Sequence, residues 1–168
     1  MILSTNSLQK LPDKAKEIIK KNLYITLATI GKDGLPWSSP VYAAYDEEYN
    51  FYWASGKNAK HSKNLDFKST ISFVIFDSSV PWGEGQGVYI QAKVIELTDE
   101  KDIHHAFLYR YGRIGKAEDK VEEFLGKAPR RIYKASPEKI WIRVDAKENG
   151  YFVDKRVELN ISDLKTSA

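Results

Sequence analysis

Phe51 to Leu65 reads FYWASGKNAKHSKNL, and it concentrates the side chains best suited to hold an anion. Lys57, Lys60, His61 and Lys63 lie there beside Ser55, Asn58, Ser62 and Asn64. The stretch reads as a strand, a cationic loop and the first turn of a helix. A helix start offers free backbone N–H groups and a positive dipole end, so cations and hydroxyls placed around it suit a phosphate group. The same composition also suits a solvated lysine face on a short helix.

Other groups with chemical potential are sparse. There is no cysteine, which excludes disulfides, thiolate catalysis and Cys-ligated zinc. Only three histidines are present, two of them adjacent inside a predicted helix at His104 and His105, and no metal site is expected. The motifs GxSxG, HExxH and GxxxxGK[ST] are missing. Gly83 to Gly87 (GEGQG) has spaced glycines, but it precedes a strand and does not match a dinucleotide fingerprint. Trp37 adjoins Ser38-Ser39-Pro40, and Trp82 sits in the glycine loop. Both can wall a flat ring, although aromatic residues more often fill cores.

The elements that must position these groups can be read from periodicity. Pro12–Lys21 carries helix signals, with Asn22 as a stop. Leu23–Ile30 is apolar on both faces and predicts a buried strand. Gly31–Gly34 makes a turn into a strand over Leu35–Tyr45, where Pro36 and Pro40 require an edge or a bulge. Phe51–Ser55, Thr70–Phe76, Val88–Leu97 and Glu138–Asp145 follow as strands, and Tyr151–Asp154 as a short last one. Thr98 or Asp99 caps a helix reaching about Tyr111, broken by Gly112 and Gly115. Ala117–Leu125 predicts a further helix ended by Gly126. Hairpin-linked strands with segregated helices argue for a mainly antiparallel β-barrel of six strands with peripheral helices. At 168 residues the chain is expected to be a single domain spanning 1–168, with an N-terminal helix and a helical insertion over about 99–126. The net charge of +3 suits a small anion better than nucleic acid, which demands a more clustered basic footprint. No apolar run reaches membrane-spanning length and no signal-peptide pattern opens the chain, so a cytoplasmic protein is expected.

The order Leu23–Ile30, Gly34–Tyr42 (GLPWSSPVY), Phe51–Ser55 (FYWAS), Lys60–Leu65 (KHSKNL) and Gly87–Ala92 (GVYIQA) resembles the pyridoxamine-5′-phosphate-oxidase-like, FMN-binding split-barrel family. The resemblance is good over about residues 12–100 and looser at 138–145 and Asp154–Arg156. It implies a six-stranded split barrel and a homodimer with FMN at the interface. It further implies a cation pair on the phosphate, here Lys60 and His61, with Lys57 compensating for the weaker charge of histidine. Ser38, Ser39 and Val41, beside Trp37, would line the isoalloxazine ring, and Trp53, Ala54 and Ser55 would flank the ribityl chain or the ring. Gln86 and Trp141 would reach the flavin of the other subunit.

True pyridoxamine-phosphate oxidases end in an Arg-x-His segment, whereas Tyr151–Leu159 has Arg156 and no histidine, so that reaction is not expected. The expected function is an FMN-dependent oxidoreductase acting on an unidentified small substrate, with no proton donor assigned. A non-enzymatic flavin carrier or sensor and a deazaflavin-dependent reductase are the alternatives on the same barrel. An oligonucleotide-binding barrel is disfavoured because the cations cluster in one loop instead of along a groove.

Overall fold

The computed structural model describes residues 8–115 and 120–165. Helix α1 (Leu11–Lys21) starts with a proline in its first turn and buries Leu11, Ala15 and Ile19 on one face. Asn22 ends it, its side-chain amide donating to Ile18 O at 2.8 Å. Strand β1 (Tyr24–Ile30) then pairs antiparallel with β2 (Pro36–Tyr42) across a turn in which Gly34 takes φ 76°. A short β3 (Ala44–Tyr45) pairs with β4 (Phe51–Gly56). After α2 (Lys60–Phe67) come β5 (Thr70–Phe76), β6 (Gly87–Glu96), α3 (Glu100–Ile114), a 3₁₀ turn at Val121–Phe124, β7 (Arg130–Glu148), β8 (Tyr151–Leu159) and α4 (Ile161–Lys165).

All eight strands belong to one antiparallel sheet in the order β2-β1-β5-β6-β7-β4-β3, with β8 also on β7. The sheet is a split barrel, not closed into a ring: β2, at one end, approaches β4, next to the other end, without a hydrogen-bonded ladder. Eight strands stand where six barrel strands and a short seventh are expected. The predicted strand Leu35–Tyr45 is two strands, and the segment from Tyr151 runs on to Leu159. Pro36 and Pro40 lie on β2, an edge strand paired only with β1, where a missing N–H costs no ladder bond. Strand β7 is much longer than expected. It passes Pro137 because the register with β6 shifts there, so a bulge absorbs the proline.

Core residues fall in two groups. One lies inside the curled sheet under α1 and α2, built from residues such as Leu27, Trp53, Phe73, Ile90 and Ile142. The other joins α3 and the 3₁₀ turn to the sheet through Tyr52, Leu97, Phe107, Phe124 and Ile132. Strand β4 serves both, turning Phe51 and Trp53 to the first and Tyr52 to the second.

Strand β1 departs from the expectation of burial on both faces. Ile25, Leu27 and Thr29 point inward, but Tyr24 and Ile30 are exposed, because no layer among the described residues covers them on the outer face. Pro40, Thr26, Val74, Tyr89, Trp141 and Glu158 form one cross-sheet row from β2 to β8.

Helix α3 begins at Asp99, whose carboxylate accepts from Lys101 N–H at 2.8 Å. It continues past Gly112 to stop at Gly115 (φ 73°). Tertiary bonds carry it beyond the expected break: the Arg113 guanidinium donates to the carbonyls of Ile19 and Asn22, and Tyr42 Oη donates to Arg113 O at 2.7 Å. Replacing Asp99 with Ala is expected to lower stability by about 1 kcal/mol, read as a lower urea midpoint at unchanged slope. Of the helix expected at Ala117–Leu125, the first residues lie outside those described; Val121–Phe124 is a 3₁₀ turn and Gly126 follows it with φ 56°.

Among the described residues no helix is long and apolar enough to cross a membrane, and no group of His, Asp and Glu is arranged to hold a metal ion.

Candidate functional site

The start of α2 lies where β4 leaves the sheet. Lys57 N–H donates to Pro129 O at 2.8 Å, tying the loop to the approach of β7, and Ala59 N–H closes a turn on Gly56 O at 3.0 Å. The helix then opens with no side-chain cap and no acidic residue in its first turn. Its leading N–H groups have no carbonyl a turn earlier to bind, so they face outward unpaired by the helix itself. The contrast with α3, capped by Asp99 and carrying Glu100 and Asp102 in its first turn, is direct. Lys57 is exposed and Lys60 occupies the first helical position of α2. A cation at the positive end of a helix is destabilising unless an anion accompanies it.

Asp33 offsets part of this charge, its Oδ2 lying 3.7 Å from Lys60 Nζ with both side chains about half exposed. The Leu35 N–H, donating to Asp33 Oδ1 at 3.1 Å, and then the nearby Lys60 hold the Asp33 carboxyl below its usual pKa.

Behind the helix start, side chains bridge the split in the barrel. His61 Nδ1 lies 3.2 Å from Ser39 Oγ on β2, and His61 Nε2 lies 2.8 Å from Ser55 Oγ on β4. Trp37 Nε1 donates to the same Ser39 Oγ at 2.9 Å. One turn along α2, the buried Asn64 donates from Nδ2 to Thr29 Oγ1 at 3.0 Å, and Thr29 Oγ1 donates to Trp37 O at 3.2 Å. Gly31 permits this approach: a Cβ there would stand 3.3 Å from Asn64 Oδ1 and 2.5 Å from Asp33 Oδ1. Burial pushes the His61 pKa below its ordinary value, so the ring is held neutral.

The residues singled out from sequence therefore divide by depth. Trp37 and Ser38 are exposed on β2, Ser55 and Ala54 are half-buried at the end of β4, and Lys57 and Lys60 are exposed beside them. Ser39 and Val41 point inward from β2. Trp53 is 0 % exposed, pairs with Tyr133 in the strand register and stacks on its ring with centroids 5.7 Å apart, so it belongs to the core. His61 is engaged at both ring nitrogens by Ser39 and Ser55.

Gln86 and Trp141 form a separate group across the sheet. Gln86 lines a cleft of about 810 Å³ with Phe76, Trp82, Tyr89, Arg143 and Phe152 among its walls. Trp141, half-buried, neighbours Tyr89 in the strand register. Arg143 anchors the glycine loop by donating to Gly85 O, and its other amine meets Asp145 Oδ1 at 2.7 Å. Arg156 lies over the Tyr89 ring at 4.6 Å. Arg143 and Asp33 escape the sequence reading. Arg143 sits two residues from Trp141 on the same strand face, which was the available signal, whereas Asp33 lies in a turn whose partner is distant in sequence.

Residues 11–144 match the pyridoxamine 5′-phosphate oxidase family. No curated protein matches the chain. Among solved structures, the chain is similar to a heme binding protein from Mycobacterium smegmatis at 14% identity and TM-score 0.66, covering 92% of this chain and 59% of that one. It is similar to HutZ, the heme storage protein from Vibrio cholerae, at 15% identity and TM-score 0.65, over 76% of this chain and 91% of the other. A Listeria innocua protein provisionally named a pyridoxamine 5′-phosphate oxidase aligns at 18% identity and TM-score 0.60, over 79% and 97% of the two chains. At these identities the likeness is one of fold.

Proposed function

Because this chain belongs to the pyridoxamine 5′-phosphate oxidase family, we propose that it binds FMN with the phosphate at the start of α2 and acts as a flavin-dependent oxidoreductase on a small substrate. The observation that carries the reading is an uncapped, acid-free helix start with Lys57 and Lys60 beside it. That donor set fits a dianion: backbone N–H groups and ammonium groups supply only donors, and phosphate oxygens only accept. Trp37 and Ser38, exposed on the neighbouring edge strand, are placed to meet a flat ring. Ala54 and Ser55 border the path between ring and phosphate. The flavin would supply hydride or electron transfer, while these residues bind and orient it.

The second group, Gln86 and Trp141, would reach the flavin from a second copy of the chain. Supporting a homodimer is the outer sheet face, where Tyr24, Ile30 and Phe76 are exposed next to the row from Pro40 to Trp141. A monomer leaves that apolar face in water, and a second copy would bury it. Strand β8 carries Arg156 but no histidine, which argues against pyridoxamine-phosphate oxidation itself. The heme named for two of the fold neighbours finds little support here: His61 is engaged at both nitrogens by serines, and His104 and His105 lie on α3, where His105 packs against Tyr52 and Tyr109.

Titration of the purified protein with FMN, followed by quenching of flavin fluorescence and by the visible spectrum, tests the reading. Saturable binding at one flavin per chain supports it; a colourless protein with no FMN affinity overturns it. Bound flavin that NAD(P)H cannot reduce, or that passes electrons to no acceptor, would make the protein a flavin carrier.

A further inference from the structure

We infer that His61 is a positioning residue that polarises a hydrogen-bond chain from Trp37 through Ser39 to Ser55, so that the Ser55 hydroxyl is presented as a donor to an oxyanion at the start of α2. The inference rests on the phosphate reading for the identity of that oxyanion. The direction of the chain follows from donor and acceptor inventories. An indole N–H only donates, so the Trp37 bond at 2.9 Å fills an acceptor position on Ser39 Oγ. Ser39 is nearly enclosed, at 9% exposure, and its remaining neighbour in the chain is His61 Nδ1 at 3.2 Å. Ser39 O–H therefore donates to Nδ1. The reverse arrangement, Nδ1–H into Ser39, leaves an enclosed serine proton without an acceptor among the described residues, which is costly.

With Nδ1 as acceptor, a neutral imidazole carries its proton on Nε2. Burial of the ring favours that neutral form. Nε2–H then donates to Ser55 Oγ at 2.8 Å. Ser55 has its inward acceptor position filled, so its own proton turns away from the ring. The direction it turns is set by its place in the chain: it stands at the end of β4, immediately before the loop of Gly56 and Lys57 and the open helix start. Three elements, β2, α2 and β4, are fixed by the same two bonds that set this polarity.

The consequence is selectivity for an acceptor-only group, a phosphate ester, over a neutral hydroxyl in the same place, on top of the attraction to Lys57 and Lys60. Two measurements test it. The first is the ¹⁵N–¹H correlation of the His61 ring in the ligand-free protein at neutral pH. The Nε2–H tautomer is expected; the Nδ1–H tautomer or a doubly protonated ring overturns the inference.

The second is the ratio of FMN to riboflavin affinity, which cancels contacts to the ring. Ser55→Ala is expected to lower the ratio about tenfold, the scale of one hydrogen bond to a charged group. Ser39→Ala, at the inner end of the chain, is expected to lower it several-fold, because Ser55 is then free to donate inward to the imidazole. His61→Gln, whose amide can still donate to Ser55, should keep the ratio within about threefold. A ratio unchanged in Ser39→Ala but lowered in Ser55→Ala overturns the role of His61. Failure of the unmodified protein to bind FMN, with the Nε2–H tautomer present, would sink the flavin reading and uphold the polarity of the chain.

Discussion

Replacing Lys60 with Gln is expected to weaken FMN binding by about ten- to a hundredfold while leaving the ligand-free protein as stable as before or slightly more so. The two halves of this expectation have separate causes. In the free protein Lys60 stands at the positive end of α2, a placement that costs roughly 0.3–1 kcal/mol. Its opposing charge among the described residues, Asp33 at 3.7 Å, is about half exposed, and such surface pairs contribute about 0–1 kcal/mol. These terms nearly cancel, so removing the ammonium changes little. With a phosphate in place, the same ammonium makes a charge-assisted hydrogen bond worth about 1.5–3 kcal/mol, which sets the range of lost affinity. Fluorescence titration gives the binding constants, and urea unfolding of the ligand-free protein gives the stability. An unchanged dissociation constant would remove Lys60 from the site, and a loss of several kcal/mol without ligand would make it a structural residue.

Trp53→Ala is expected to do the reverse: to cost about 3–5 kcal/mol of stability, with little effect on the FMN affinity of the molecules that remain folded. The indole is fully enclosed, lies against Tyr133 with an interplanar angle of 23°, and belongs to the core inside the sheet. Truncation would leave a cavity that β4, held on both faces, has little freedom to fill. Trp53 Nε1 has no hydrogen-bond partner among the described residues, so truncation breaks no hydrogen bond, and removal of the enclosed N–H offsets only part of the cavity cost. Urea unfolding at equal protein concentration checks the first part, and FMN titration well below the midpoint checks the second. A stability loss under 1 kcal/mol, or a large affinity change in fully folded protein, would return Trp53 to the ligand site.

The contrast between Lys60 and Trp53 shows where reading residues in order reaches its limit. Strands, turns and the first helix were legible because each rests on local rules: alternation in Thr70–Phe76, positive φ at Gly34, proline confined to the edge at Pro36 and Pro40. The window that the family resemblance singled out does fold as a helix start with cations beside it. What it left undecided was depth. Trp37 and Ser38 lie on opposite faces of an edge strand and are both open, whereas Trp53 lies on an inner strand and is enclosed, and that difference depends on which layers the finished fold supplies. The partners of His61 were equally hidden. Ser39 lies 22 positions away in sequence, and only the curl of the sheet brings β2 and β4 to the two sides of one imidazole. The extent of β7 was obscured by Pro137, which reads as a strand breaker until a bulge in the register accommodates it.

Strand β7 also sets the order in which the molecule can be completed. It is the shared partner of β6, β4 and β8, yet Arg130–Glu148 comes late in the chain. During synthesis, β4 and β6 emerge long before the strand that must lie between them, and each exposes an unsatisfied edge for that interval. Closing the β4–β7 pair joins Phe51 to Ala135, a distant contact whose entropic cost comes before its reward. Folding of this barrel is therefore governed by the arrival of one late strand, and any interruption before Arg130 leaves a nascent chain with two open edges, prone to pair with its neighbours.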